Sequence, residues 1–148
     1  MPIMLSERKD LLFVDKDEDG TTVFLDVLSV TRTHDLVELT VISAPERGNQ
    51  AYREIQAFLE ANDKAGRSFY CVEEAWGFDL GRVTSAKYGF KVKDANNLPV
   101  HFVSFSKPEW VPIPDTGGIE YKILQAALSE LSRRAVINAQ LQKDAAGR

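Results

Sequence analysis

The hydrophobic period of this chain changes near residue 119, and that change restricts its fold more than any other feature. From Leu11 to Ser106 the apolar residues recur mostly at every second position, in short runs separated by turns. From Ile119 nearly to the end they recur at every third or fourth position. The first pattern belongs to strands with two faces, the second to one stripe of a helix. "LLFVD", "TTVFLDVLSV" and "LVELTVISA" are joined by the acidic turn "DKDEDG" and by "THD". Three strands with turns this short make an antiparallel meander. Val23, Leu25 and Val27 are expected on one face of the second strand, and Val37, Leu39 and Val41 on one face of the third. "NQAYREIQAFLEAND" interrupts with a helical pattern, Tyr52, Ile55, Phe58 and Leu59, behind Asn49 as N-cap, and Gly66 marks its exit.

"SFYCVEEAW", "GRVTSAKYGFKVKD" and "VHFVSFS" supply three more strands, with "ANNLP" as the last turn. In the fifth strand Ala86, Tyr88, Phe90 and Val92 are expected on one face and Lys87, Lys91 and Lys93 on the other. "KPEWVPIPDTGG" holds three prolines and two glycines and reads as irregular. In the final helix the stripe is Tyr121, Leu124, Leu128, Leu131 and Ala135. The expected architecture is α+β: a curved antiparallel sheet of about six strands, a long C-terminal helix across one face, and a shorter helix inserted mid-chain.

A chain of 148 residues fits one domain, 1–148. From Ile119 to about Ala145 the helix would span roughly 40 Å, while a typical strand covers only ~17–20 Å. Its second half, 132–148, is expected either to project as a helical tail or to fray. Val136, Ile137 and Leu141 give that tail apolar surface and are candidate partner contacts.

Net charge −4 and pI near 5.2 give no electrostatic case for nucleic acid or an anionic membrane. No apolar run approaches the ~20 residues of a membrane span. "MPIMLSERKDLL" lacks the apolar core of a signal peptide. The expected location is the cytoplasm, or the periplasm or exterior for a chain whose leader has been removed. Cys71 is the single cysteine, so no intrachain disulfide and no cysteine-based zinc cluster can form.

Residues that can carry chemistry are few. In "DKDEDGTTVFLD", Asp15, Asp17, Asp19, Gly20 and Asp26 match most ligand positions of a calcium loop. The exit from Gly20 is β-like, however, and Asp26 in a paired strand cannot fold back onto the loop. Gly20 is equally accounted for by a hairpin position with positive φ, so a solvated turn is the expectation, with no metal. His34 sits in a turn and His101 in a strand, far apart in sequence, and Cys71 reads as a small buried hydrophobe. Lys87, Lys91 and Lys93, which Arg82 could extend, read either as a solvated strand face or as contacts for an acidic partner. Trp76 and Trp110 are expected in the core or under a helix. No phosphate loop, nucleophile elbow or paired-carboxylate signature is present, and no cofactor is implied.

The order of the segments resembles the surface-adhesin protein E family of bacterial proteins. The likeness rests on "TTVFLDVLSVTR" with Asp26 and Ser29, "FYCVEE" with Cys71, "YGFKVKD", and "EWVPIPDTGGIEYKIL" with Trp110, Val111 and Pro114. It covers roughly residues 11–128 on domain-scale grounds. The resemblance implies a curved antiparallel sheet with the terminal helix across one face, and members that are exported, the namesake being an adhesin for host proteins. This chain lacks the family's signal peptide and the second cysteine that ties helix to sheet; the corresponding turn reads "LQAAL". Packing alone must then hold the helix.

The functional expectation is a non-enzymatic protein-interaction module with a protein partner, a homodimer being the simplest case. Two alternatives differ in class. One is a small enzyme using Cys71 with His101, and the other is a calcium-responsive binder through residues 15–26.

Overall fold

A computed structural model describes residues 10–61, 69–94, 97–114 and 118–147. The expected helix exit at Gly66 and the N-terminal residues before Asp10 lie outside the described residues. Strands β1 (Leu11–Lys16), β2 (Thr22–Thr33) and β3 (Leu36–Ala44) precede helix α1 (Gln50–Ala61). Strands β4 (Phe69–Asp79), β5 (Thr84–Asp94), β6 (Pro99–Ser104) and β7 (Val111–Pro112) follow, and helix α2 (Ile119–Ala146) ends the order. β1 to β6 pair in sequence order, each antiparallel to the next, and β7 pairs with β5. The expected α+β architecture is the observed one.

Two features of the meander follow directly from residue type. Gly20 closes the first hairpin at φ +91°, where a side chain would be strained. Asn49 caps α1, its Oδ1 accepting from the Tyr52 N–H at 2.8 Å. The seventh strand is the exception. "KPEWVPIPDTGG" was expected to be irregular, yet Val111 and Pro112 pair with Ser85 and Thr84. Proline can sit at such an edge because it gives up only one donor there, and the Ile113 N–H supplies the next bond, to the Val83 carbonyl at 3.0 Å.

The main core lies on one face of the sheet. Leu25, Val30, Val37, Leu39, Val41, Trp76 and Phe78 pack there beneath Ile123, Leu124 and Ala127 of α2. Val72, alternating with Cys71 along β4, and Val92 pack against Leu59 of α1. Both helices therefore cover the same face, α2 over the early strands and α1 over the later ones. Phe24, Ile42 and Cys71 form a separate buried cluster on the opposite face.

Two β-bulges overturn expected facings. Between Asp26 and Thr31, five steps along β2 answer two along β3, so three extra residues are inserted. Val30 therefore takes the buried position expected for Val27, which is only half-buried. In β5 the register slips by one between the pairs Ala75–Gly89 and Trp76–Lys87. Phe90 joins α1's cluster on the helix-covered face, while Tyr88 lies over Gly77 and against Trp110. A Cβ on Gly77 would fall 2.1 Å from the Tyr88 hydroxyl, so glycine is what admits that ring. The four residues Ala86, Tyr88, Phe90 and Val92 accordingly do not share one face.

Candidate interaction surface

The expected stripe of α2 docks in part: Leu124 lies in the core and Leu128 and Leu131 pack against it, but the most buried line is shifted. Ile123, Leu124, Ala127 and Glu130 are buried, Tyr121, Leu128 and Leu131 half-buried, and Ala135 exposed. The stripe turns toward Ile123, Ala127, Glu130 and Arg134 because Arg134 finds partners on β2 and Glu130 pairs with Arg134 and Arg133 of its own helix. Arg134 donates from Nη1 to the Val30 carbonyl at 2.7 Å and from Nη2 to the Val27 carbonyl. Its Nε donates to Glu130 Oε1 at 3.1 Å, and Arg133 grips the same carboxylate at 2.7 and 2.9 Å. Those hydrogen bonds and charges, Arg133 first and Arg134 after it, hold the Glu130 carboxyl below its ordinary range.

The socket for Arg134 is the β2 bulge. Ser29 Oγ donates to the Asp26 carbonyl at 2.6 Å and accepts from the Thr40 N–H at 2.8 Å, while Asp26 Oδ1 accepts from the Leu28 N–H at 3.1 Å. Asp26 and Ser29 thus take over ladder bonds that the insertion removes, leaving the Val27 and Val30 carbonyls to a guanidinium. Sequence reasoning noticed Asp26 and Ser29 only as part of a motif and missed Glu130 and Arg134. The available signal was "ELSRR", charges placed on the helical stripe itself.

Beyond Arg134 the helix continues to Ala146, and every described residue from Ala135 onward is exposed. Val136 is 69% exposed, Ile137 43% and Leu141 61%. Leu28, on the adjoining bulge, is 76% exposed. These are the three tail residues singled out from the sequence, joined by one that was not.

The three lysines do not form one stripe. The β5 bulge puts Lys87 on the helix-covered face, 5.0 Å over the Trp76 ring and 3.6 Å from Glu74. Lys93 and Lys91 lie on the other face, where Lys93 pairs with Glu73 at 2.8 Å and Lys91 stands 5.9 Å from the Phe102 ring. Two of the three charges are therefore balanced locally. Trp76 is in the core, its Nε1–H donating to Glu74 at 2.7 Å. Trp110, expected in the core or under a helix, is 41% exposed and packs on Tyr88 instead. Burial, together with a hydrogen bond to the Glu38 carboxylate, pushes the Tyr88 hydroxyl up to about 12.

The acidic turn spreads its carboxylates. Asp15 reaches Lys122 of α2 at 2.7 Å, which holds it below the usual carboxylate range. Asp17 and Asp19 both accept from the Thr21 N–H, at 2.9 and 3.2 Å. Their mutual hydrogen bond draws Asp17 up and Asp19 down. Asp26 pairs with Leu11 and Asp15 with Val23, so the first and last loop positions stand roughly 10–13 Å apart along the ladder. Among the described residues, no group of three or more His, Cys, Asp or Glu is placed to hold a metal ion.

Cys71 and His101 are separated by the sheet. Cys71 is buried with Phe24 and Ile42, whereas His101 meets Phe58 of α1 edge-on at 4.7 Å and lies 6.5 Å from Phe90. His34 is an exposed turn residue with φ +55°. The surface grooves are open. One of about 410 Å³ is lined by Trp76, Lys87, Phe105, Lys107, Glu109 and Glu120, a balanced set of charges that favours no single ligand class. Another, of about 280 Å³, lies between α1 and the sheet, lined mainly by Ile55, Phe58, Val72, Phe90 and Val92.

Comparison with known proteins gives no match among family models, curated proteins or solved structures. No helix among the described residues is long and apolar enough to cross a membrane.

Proposed function

We propose that this chain is a non-enzymatic protein-interaction module whose contact surface is the projecting half of α2. One observation carries the reading: the helix runs from Ala135 to Ala146 clear of its own sheet and presents Val136, Ile137 and Leu141 to solvent. An unsupported stretch of about three turns is only marginally helical by itself, so a partner that covers those residues would also stabilise the helix. The net charge of −4 favours a protein partner over nucleic acid or an anionic membrane. A single cysteine, which cannot form an intrachain disulfide, fits the cytoplasm. The resemblance to the surface-adhesin protein E family points toward binding as well, on motif order alone.

The test is a photo-reactive side chain at Gln140, beside Leu141. It should capture a discrete species in native extract, and Ile137→Glu with Leu141→Glu should abolish the capture. Capture that is unspecific, or unchanged by the double substitution, would remove the projecting helix as the contact surface.

A further inference from the structure

The stripe by which α2 docks does not stop where the sheet stops. Ile123, Ala127, Glu130 and Arg134 follow one another at steps of four, three and four, and all four face the sheet. The next steps, three, four and three, reach Ile137, Leu141 and Asp144. That is the a/d spacing of a helix–helix seam, and its exposed part has a particular symmetry. Ile137 and Leu141 stand equally far from Ala139, and so do Arg134 and Asp144.

We infer that the occupant of this surface is a second copy of the same chain, its α2 antiparallel to the first across a two-fold axis at Ala139. This rests on the interaction-module reading and names the partner. In that register Ile137 meets Leu141 of the second copy, and Leu141 meets its Ile137. Asp144 comes against the end that carries Arg133 and Arg134, where two guanidinium groups share the one Glu130 carboxylate and leave a positive excess. The seam is thus self-complementary in its apolar pairing and in charge, as a two-fold interface requires. A parallel pairing would set Asp144 on Asp144 and the arginine end on itself. Each overhang spans roughly 18 Å, so the pair covers well under the ~800 Å² per partner of a standard interface. The dimer is accordingly weak, with a dissociation constant on the order of 100 μM.

Sedimentation equilibrium of the full chain, from about a tenth of that value to about ten times it, should show a monomer passing to a dimer. Ile137→Glu with Leu141→Glu should remain monomeric throughout, at least a tenfold weakening. In a Cys71→Ser background, Ile137→Cys and Leu141→Cys chains should oxidise to a disulfide-linked pair when mixed and much less when each is alone. A wild-type chain that stays monomeric over the range, a dimer that survives the double substitution, or cross-linking of each cysteine variant to itself in preference to the other would each overturn the inference. Failure of the second copy is distinguishable from failure of the module: a monomeric chain whose Gln140 probe still captures another protein, sensitive to the double substitution, refutes only the second copy.

Discussion

Between Ile119 and Arg134, α2 is held from two directions, by Ile123, Leu124 and Ala127 in the core and by a guanidinium seated on the β2 bulge. Between Ala135 and Ala146 the same helix has no described contact that buries a residue. The composition of the two halves does not account for this. Both have apolar residues at helical spacing and both are good helix formers. What differs is the sheet beneath them, because β2 departs from its regular ladder at Asp26 and α2 meets it for the last time at Val27 and Val30. The contrast shows that an amphipathic stripe records what a helix can bury, while the length of the neighbouring element decides how much of it is buried at home.

The largest expected effect tests the docked half. Ile123 is fully buried, so Ile123→Ala should cost about 2–5 kcal/mol in urea unfolding. Ile137→Ala removes the same atoms from an exposed site and should stay within about 0.5 kcal/mol for the monomer. Equal losses at the two positions would show that the tail is packed after all, and would dissolve the comparison.

Next in size is the latch. Arg134→Ala leaves the Val27 and Val30 carbonyls without their guanidinium donors and deprives Glu130 of one partner. Arg134 is itself a third exposed and water can replace part of what is lost, so the expected cost is about 1–2 kcal/mol. Amide exchange should then quicken in α2 from about Glu130 onward while the first two turns keep their protection. A uniform loss along the helix would mean that Arg134 carries no local role.

Much of this fold is legible in the sequence, and the reasons for what is not are local. Period-two runs and short turns are sufficient for a meander, and Gly20 and Asn49 carry conformational preferences that operate within a few residues. Each wrong facing traces to a bulge. Inserting residues between Asp26 and Thr31 costs nothing in hydrophobic pattern, since Val27 and Val30 are the same residue type and either could be inside. The three-residue shift is visible only in the partner strand's register. The slip at Tyr88 is similar: "KYGFKVK" alternates well on paper, and Gly77 on the neighbouring strand shows where the ring goes. In the candidate site the apolar tail residues were readable from periodicity. Glu130 and Arg134 were not, because a charge on a helical stripe is informative only once a strand offers it unpaired carbonyls.

A smaller effect concerns acid. The Glu130 carboxyl is held down in the folded state, by Arg133 above all and then by Arg134. A carboxyl whose folded value is depressed binds its proton more readily in the unfolded chain, so its contribution is intact above the ordinary value of about 4.5 and is lost as pH falls through the lower folded value. Unfolding midpoints of the native chain and of Glu130→Gln should therefore differ most near neutrality and converge once pH has fallen through the depressed folded value. A gap that persists unchanged into acid would assign the effect to packing instead of charge.

The smallest expected effect is the most discriminating, because it should be nearly zero. Replacing Ile137 and Leu141 together by glutamate puts two charges where the helix is already solvated. Glutamate is at least as good a helix former as isoleucine, which favours the variant by a few tenths of a kcal/mol. The two carboxylates lie four residues apart on one face and repel by a similar amount. A glutamate at 137 also comes within reach of Arg133 one turn earlier. These terms cancel to within about 0.5 kcal/mol, so urea unfolding measured well below the dimerisation range should not separate variant from native chain. The same substitution at Leu124, buried against the core, should be severely destabilising. If the tail variant unfolds as readily as Leu124→Glu, the second half of α2 belongs to the structural core and cannot serve as a free contact surface. If it is as stable as the native chain, whatever association it loses is a property of the surface alone.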